Sequence, residues 1–109
     1  MSVLTITSNN LEAEVIMSKK PVLLDFWAPS CPPCIMISPI IDEIAAEQDA
    51  VRVGKVNLED APELALRFDV ANIPLLVLIK DGEVVAQVEG YRPGQKEIIL
   101  KMLEPYMNA

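Results

Sequence analysis

Cys31 and Cys34 are the only cysteines in the chain, and Pro32 and Pro33 alone stand between them. At that spacing two sulfurs can approach to bonding distance, so the pair can pass between dithiol and disulfide. One sulfur attacks a foreign disulfide and the other resolves the mixed disulfide that results. The sequence contains no histidine, which removes the usual general base, the commonest zinc ligand and every Ser/His or Cys/His nucleophile pair. Chemistry must then come from sulfur, carboxylate or lysine.

Other readings of the pair are weaker. Cys-x-x-Cys also opens zinc knuckles, but tetrahedral zinc takes four ligands and no second pair or histidine supplies them. The expected metal is none, with a metal bridged between two copies as the remaining metal reading. Closing a four-residue loop restrains the unfolded chain little, so a purely stapling disulfide is a poor explanation. Two inert buried thiols fit badly with two prolines holding them at a loop–helix junction.

The elements around the pair give each sulfur a different setting. Val22 to Ala28 is a dense apolar run of strand length, of the kind covered on both faces of a sheet, with Asp25 in its middle. From Pro33 onward Ile37, Ile40, Ile41, Ile44 and Ala45 recur at helical spacing to about Gln48, with Pro39 kinking the helix. Cys31 therefore falls at a helix N-terminus. Pro32 precedes another proline and is steered away from helical angles, so Pro33 is the expected first helical residue, and the amides of Cys34, Ile35 and Met36 are free donors for a Cys31 thiolate. The helix dipole adds to this and draws the Cys31 pKa down toward neutrality, while the prolines limit the effect because neither carries an amide hydrogen. Cys34, one turn inward, is the expected buried partner of higher pKa. Its nearest plausible proton acceptor is Asp25, six residues before Cys31, whose own pKa burial would raise. The competing reading of Asp25 is a carboxylate satisfied by Lys55.

Val3 to Ile6 reads as a short edge strand, and Asn9 with Glu12 reads as a capping box opening a helix to about Ser18. Val51 to Asn57 is a second buried strand carrying Lys55, and Pro62 starts a short helix with Leu64 and Phe68 on one face. Leu75 to Ile79, the Asp81-Gly82 turn and Glu83 to Glu89 read as a hairpin. A last helix from about Pro93 to Met107 carries Ile98, Ile99, Met102, Leu103 and Tyr106 on one face and Lys96, Glu97 and Lys101 on the other. This order predicts an α/β fold, a mixed sheet with helices on both faces.

Composition sets the frame. The length of 109 residues fits one domain spanning 1–109, and a hydrophobic fraction of 51% suits a globular chain. A net charge of -7 with no basic run argues against nucleic acid and anionic membrane. The N-terminus lacks the regions of a signal peptide, and the longest apolar run, Ile73 to Ile79, is far short of a bilayer span. A cytoplasmic location is expected.

VLLDFWAPSCPPC, MISPIIDEIA, VGKVNLED, ANIPLLVLIKDGEVV and Gly90 together resemble the thioredoxin family over essentially the whole chain. The resemblance implies the thioredoxin fold, a single three-layer domain with a central mixed five-stranded sheet and four flanking helices. It implies a protein-disulfide oxidoreductase with no bound cofactor beyond its redox-active Cys31-Cys34 pair. A monomer is expected, served by a thioredoxin reductase or similar electron donor and acting on disulfide-containing proteins. Ile73-Pro74 would carry a cis peptide bond facing the sulfurs, with the Ile73 backbone pairing to substrate. Trp27 and Gly90 would flank the site, and Lys55 would hold or tune Asp25. Family members commonly have Gly-Pro between the cysteines, an aromatic before the first, a basic residue after the second and Thr after the cis proline. Here stand Pro32-Pro33, Ser30, Ile35 and Leu75; the residues between the cysteines tune the pair, and Ile35 and Leu75 make the rim more apolar, favouring a dedicated partner. The Cys-Pro-x-Cys form leaves glutathione-linked reduction as a further reading, and an interaction module without turnover as another. Retention of both cysteines with Asp25 and Lys55 weighs against the module, and the long N-terminal strand–helix unit and DFWA weigh against the glutathione reading.

Overall fold

The computed structural model describes residues 3–107. Five strands, β1 (Leu4–Thr5), β2 (Val22–Trp27), β3 (Arg52–Asn57), β4 (Leu75–Lys80) and β5 (Glu83–Glu89), form one sheet in the order β1-β3-β2-β4-β5. β1 and β2 both run parallel to β3, whereas β4 runs antiparallel to β2 and β5 antiparallel to β4. Antiparallel pairing thus begins at the centre of the sheet, one strand earlier than the hairpin alone implied. A π-helical segment (Glu12–Ile16) and helices α1 (Pro32–Glu47), α2 (Pro62–Arg67) and α3 (Gln95–Met107) complete the fold, a mixed five-stranded sheet with four helical segments as the resemblance implied.

The unbroken apolar run of β2 makes sense because both faces of the sheet are covered. Val22, Leu24 and Phe26 point to one face, where they pack with Val77 and Ile79 under Leu11 and Val15 of the N-terminal segment and Leu64 of α2. Leu23 points to the other, where Leu76 and Leu78 lie beneath Ile37, Ile41 and Ile44 of α1 and Ile99 and Leu103 of α3. Alternation along a strand sends successive side chains to opposite faces, so Asp25 is carried to the α1 face along with Leu23. Phe68, just past α2, packs its ring against Phe26 with centroids 5.3 Å apart.

Several local expectations change. The Asn9/Glu12 capping box does not form: Leu11 is the N-cap of the π-helical segment and no side chain caps it. Asn10 is used instead to close the preceding turn, its Oδ1 accepting from the Thr7 amide at 2.8 Å and its Nδ2 donating to the Thr5 carbonyl at 2.9 Å. α1 begins at Pro32, one residue before the expected start, and passes through Pro39 without interruption. α3 begins two residues late, after the Pro93-Gly94 turn. Ile98 is 38% exposed while Ile99 is fully buried, since neighbours in a helix lie about 100° apart and only one can face the sheet. The Asp81-Gly82 turn has positive φ at both positions, 53° and 79°, as the tight hairpin type requires.

Gly54 sits in register with Leu4 on one side and Leu24 on the other. A Cβ built there would lie 2.7 Å from Cγ1 of Ile6 and 3.2 Å from Cδ2 of Leu24, both held in a packed core. Gly54→Val is expected to destabilise the protein by about 1–3 kcal/mol, read in urea denaturation as a lower midpoint with an unchanged slope.

Candidate active site

β2 ends at Trp27 and the chain turns through 28–30, with the Cys31 amide donating to the Ala28 carbonyl at 3.1 Å. Cys31 is the N-cap of α1, in extended conformation, and its sulfur accepts from the Cys34 amide at 3.3 Å. The Ile35 amide donates to the Cys31 carbonyl at 3.2 Å. Because the helix starts at Pro32, Met36 enters the ordinary i→i−4 ladder. Of the three amides expected to reach the sulfur, only that of Cys34 does so. Cys31 and Cys34 are joined as a disulfide with Cα atoms 5.3 Å apart. Cys31 is partly exposed and Cys34 is buried, the asymmetry expected of an attacking and a resolving sulfur.

Asp25 is 1% exposed, and its Oδ1 has no hydrogen-bond partner among the described residues. Burial is the main cause that lifts its pKa from 3.8 to about 7; the Lys55 charge opposes this and the Asp42 charge adds to it. The reading of Asp25 as a carboxylate satisfied by Lys55 is corrected here. Lys55 stands opposite Asp25 in the β2/β3 register, yet its Nζ donates to Ser38 Oγ at 2.6 Å and to Asp42 Oδ1 at 3.1 Å on α1. Its influence on Asp25 is therefore the field of a charge bonded elsewhere. Ser38 and Asp42 were not anticipated. The signal was their spacing: they follow Cys34 by four and eight residues, which puts them on the helix face of the buried sulfur.

The rim is built from four loops. Ile73-Pro74 is cis, and the Ile73 carbonyl oxygen lies 3.9 Å from the Cys31 sulfur. Gly90, at φ 78°, donates its amide to the Pro74 carbonyl at 2.8 Å, so these two expected site residues form one surface. Gln95, also unanticipated, is buried and ties this loop down: its Nε2 donates to the Gly90 carbonyl at 3.3 Å and its Oε1 accepts from the Arg92 amide at 3.2 Å. Trp27 is partly buried at the end of β2, four residues before Cys31. Ser30 donates to Glu59 Oε2 at 3.2 Å, joining the cysteine loop to the loop after β3. Ile35 and Met36 are about half exposed on the first turn of α1. Leu75 does not contribute to the rim, because its side chain is buried in the core on the far face of the sheet. Of the two residues expected to make the rim more apolar, Ile35 on α1 is the exposed one. Among the described residues no group of three His, Cys, Asp or Glu side chains is gathered to hold a metal, and no helix is long and apolar enough to cross a membrane.

A family model described as Thioredoxin matches residues 2–104. The chain is 41% identical over 109 residues to a thioredoxin of Pyropia yezoensis, covering 99% of this chain and all of that one. It is 44% identical over 89 residues to thioredoxin 1 of Synechococcus elongatus, covering 81% and 83% of the two chains. It is 46% identical over 92 residues to a thioredoxin of Haemophilus influenzae, covering 84% and 86%.

The Asp25 environment makes stability depend on pH. Below pH 3.8 the carboxyl is neutral folded and unfolded, and burial costs no charge. Between 3.8 and about 7 the unfolded chain ionises first, so stability falls as pH rises and the loss is complete above about 7. Its size is about 4 kcal/mol at one pKa unit per 1.36 kcal/mol. Asp25→Asn should therefore be more stable than wild type above pH 7, with the difference shrinking on acidification and vanishing near pH 4, as measured by urea denaturation across pH.

Proposed function

The chain belongs to the thioredoxin family and is a thiol-disulfide oxidoreductase, and from that premise we propose that Cys31-Pro32-Pro33-Cys34 is its active site, used to reduce disulfides in other proteins. The Cys31 thiolate attacks one sulfur of the substrate disulfide, forming a mixed disulfide and releasing the other sulfur as a thiolate that takes a proton from water. Cys34 then loses its proton to Asp25 and attacks the Cys31 sulfur. The Cys31-Cys34 bond forms, the bond to substrate breaks, and the two electrons have passed to the substrate as a pair of thiols. A thioredoxin reductase or similar electron donor returns the oxidised pair to the starting state.

The observation that carries this reading is the asymmetric disulfide: an accessible sulfur capping α1 and a buried one behind it. An unpartnered buried carboxyl of raised pKa on the face that α1 covers supports Asp25 as the proton acceptor. Trp27, Ile73, Pro74 and Gly90 would receive an extended substrate segment, Lys55 would tune Asp25, and Pro32 and Pro33 would set how strongly the Cys31 thiolate is held. The electrons travel on the cysteine pair, so no bound cofactor is invoked. The working unit is one domain of 1–109, a cytoplasmic monomer that engages neither nucleic acid nor membrane.

Reduced wild-type protein should accelerate reduction of a disulfide-bonded protein, and Cys34→Ser should accumulate mixed disulfides through Cys31 that dithiothreitol releases. Non-reducing electrophoresis with mass spectrometry reads both. Cys31→Ser should form none. Absence of both turnover and trapping, with a cellular role that survives loss of both cysteines, would make the chain a docking module instead.

A further inference from the structure

Adjacent strands lie about 4.8 Å apart, and Lys55 faces Asp25 across that gap on the same side of the sheet. An ion pair between them is the arrangement that register alone favours, because a buried carboxylate gains most from a nearby cation. The ammonium turns away instead. Ser38 and Asp42, one and two turns beyond Cys34 on α1, accept its hydrogen bonds at 2.6 Å and 3.1 Å, and Asp25 Oδ1 is left without a partner among the described residues.

We propose that Ser38 and Asp42 are positioning residues for the resolving step: by holding the Lys55 ammonium against α1 they keep it from pairing with Asp25 and leave that carboxyl free to take the Cys34 proton. The inference rests on the dithiol mechanism above and adds to it the device that keeps the base competent. A carboxylate paired to an ammonium is a weak base toward a thiol; an unpaired one in an apolar surround is a stronger base, better matched to sulfur.

The charges around Asp25 are few enough to name. From β3 comes Lys55, from α1 comes Asp42, and the residue opposite on β4 is the uncharged Leu76. The cation of α3 that reaches α1, Lys96, is already bonded to Glu43 and Glu47 at 2.8 and 3.0 Å. Removing the Asp42 carboxylate thus acts on Asp25 in two ways of the same sign. It withdraws a nearby negative charge, and it releases the ammonium toward Asp25, which stands opposite Lys55 in the register.

The deciding measurement is the titration of the Asp25 carboxyl by carbon-13 NMR in the oxidised protein, which needs no turnover. Asp42→Asn should move its midpoint down by about one to three pH units, with Ser38→Ala moving it in the same direction by less and Asp42→Glu holding it near the wild-type value. In a Lys55→Gln background the effect of Asp42→Asn should shrink to the part due to direct repulsion. The single-turnover rate of mixed-disulfide resolution at pH 7 should fall severalfold in Asp42→Asn and be restored in Asp42→Glu. A midpoint that stays put in folded Asp42→Asn, or a full shift that persists without Lys55, overturns the proposal. A wild-type protein that neither turns over nor traps substrate defeats the oxidoreductase reading instead, while the titration still decides where Lys55 is held.

Discussion

The sulfur of Cys31 occupies the place that a serine, threonine or aspartate oxygen usually takes at the start of a helix. An N-cap contributes about 1 kcal/mol by satisfying an amide that the helix itself cannot, and here the acceptor is also the reacting atom. Folding and chemistry therefore use the same contact. β2 must stop at Trp27, the chain must turn through 28–30, and α1 must begin at Pro32 for the Cys34 amide to lie 3.3 Å from that sulfur. The two prolines supply no amide hydrogens, which leaves the Cys34 amide as the single backbone donor aimed at the sulfur. A thiolate held by one amide and a dipole is ionised more easily than a free thiol while keeping much of its nucleophilicity.

Beneath that cap the fold carries a cost. Keeping Asp25 buried and unpaired weakens the folded state by about 4 kcal/mol where the carboxyl is ionised. Complete burial of one leucine or phenylalanine contributes about 1.5–3 kcal/mol, so two such residues offset the penalty. Leu23, Leu24, Phe26, Leu76 and Leu78 surround the position on β2 and β4, and each is completely buried. The strand that holds the carboxyl is packed on both faces, which is where a destabilising group can be kept without loosening the site.

Much of this was legible in the residues because the signals were periodic or local. The continuous apolar runs of β2 and β4 require cover on both faces, the isoleucine stripe of α1 gives its buried side, and Asp81-Gly82 has the chemistry of its turn. What the chain did not reveal depended on which of several competing contacts, near or far along the chain, a residue makes. Asn9 and Glu12 have the spacing of a capping box, but Asn10 satisfies the Thr7 amide and the Thr5 carbonyl first, and the segment winds as a π-helix whose Met17 amide reaches Glu12 at 2.9 Å. Leu75 looked like a rim residue by its place after Pro74, yet the pleat turns it to the far face. Lys55 has two anions within reach, and sequence carries no information on which one it bonds.

The rim shows how a surface that must stay open is nevertheless held in one shape. The loop from Gly90 to Arg92 is joined to the cis-proline turn through the Gly90 amide and leaves room around Gly90, where a Cβ would meet nothing within 4 Å. Such a loop cannot be fixed by covering it with apolar side chains, because the cover would block the approach of another protein chain. Backbone hydrogen bonds provide the alternative. The Gly90 amide is anchored to the Pro74 carbonyl, and the buried amide group of Gln95 spans the Gly90 carbonyl and the Arg92 amide from behind. A buried polar side chain is costly unless its hydrogen bonds are made; with both ends of its amide engaged, Gln95 gives rigidity to the loop from the inside and leaves its outer face uncovered.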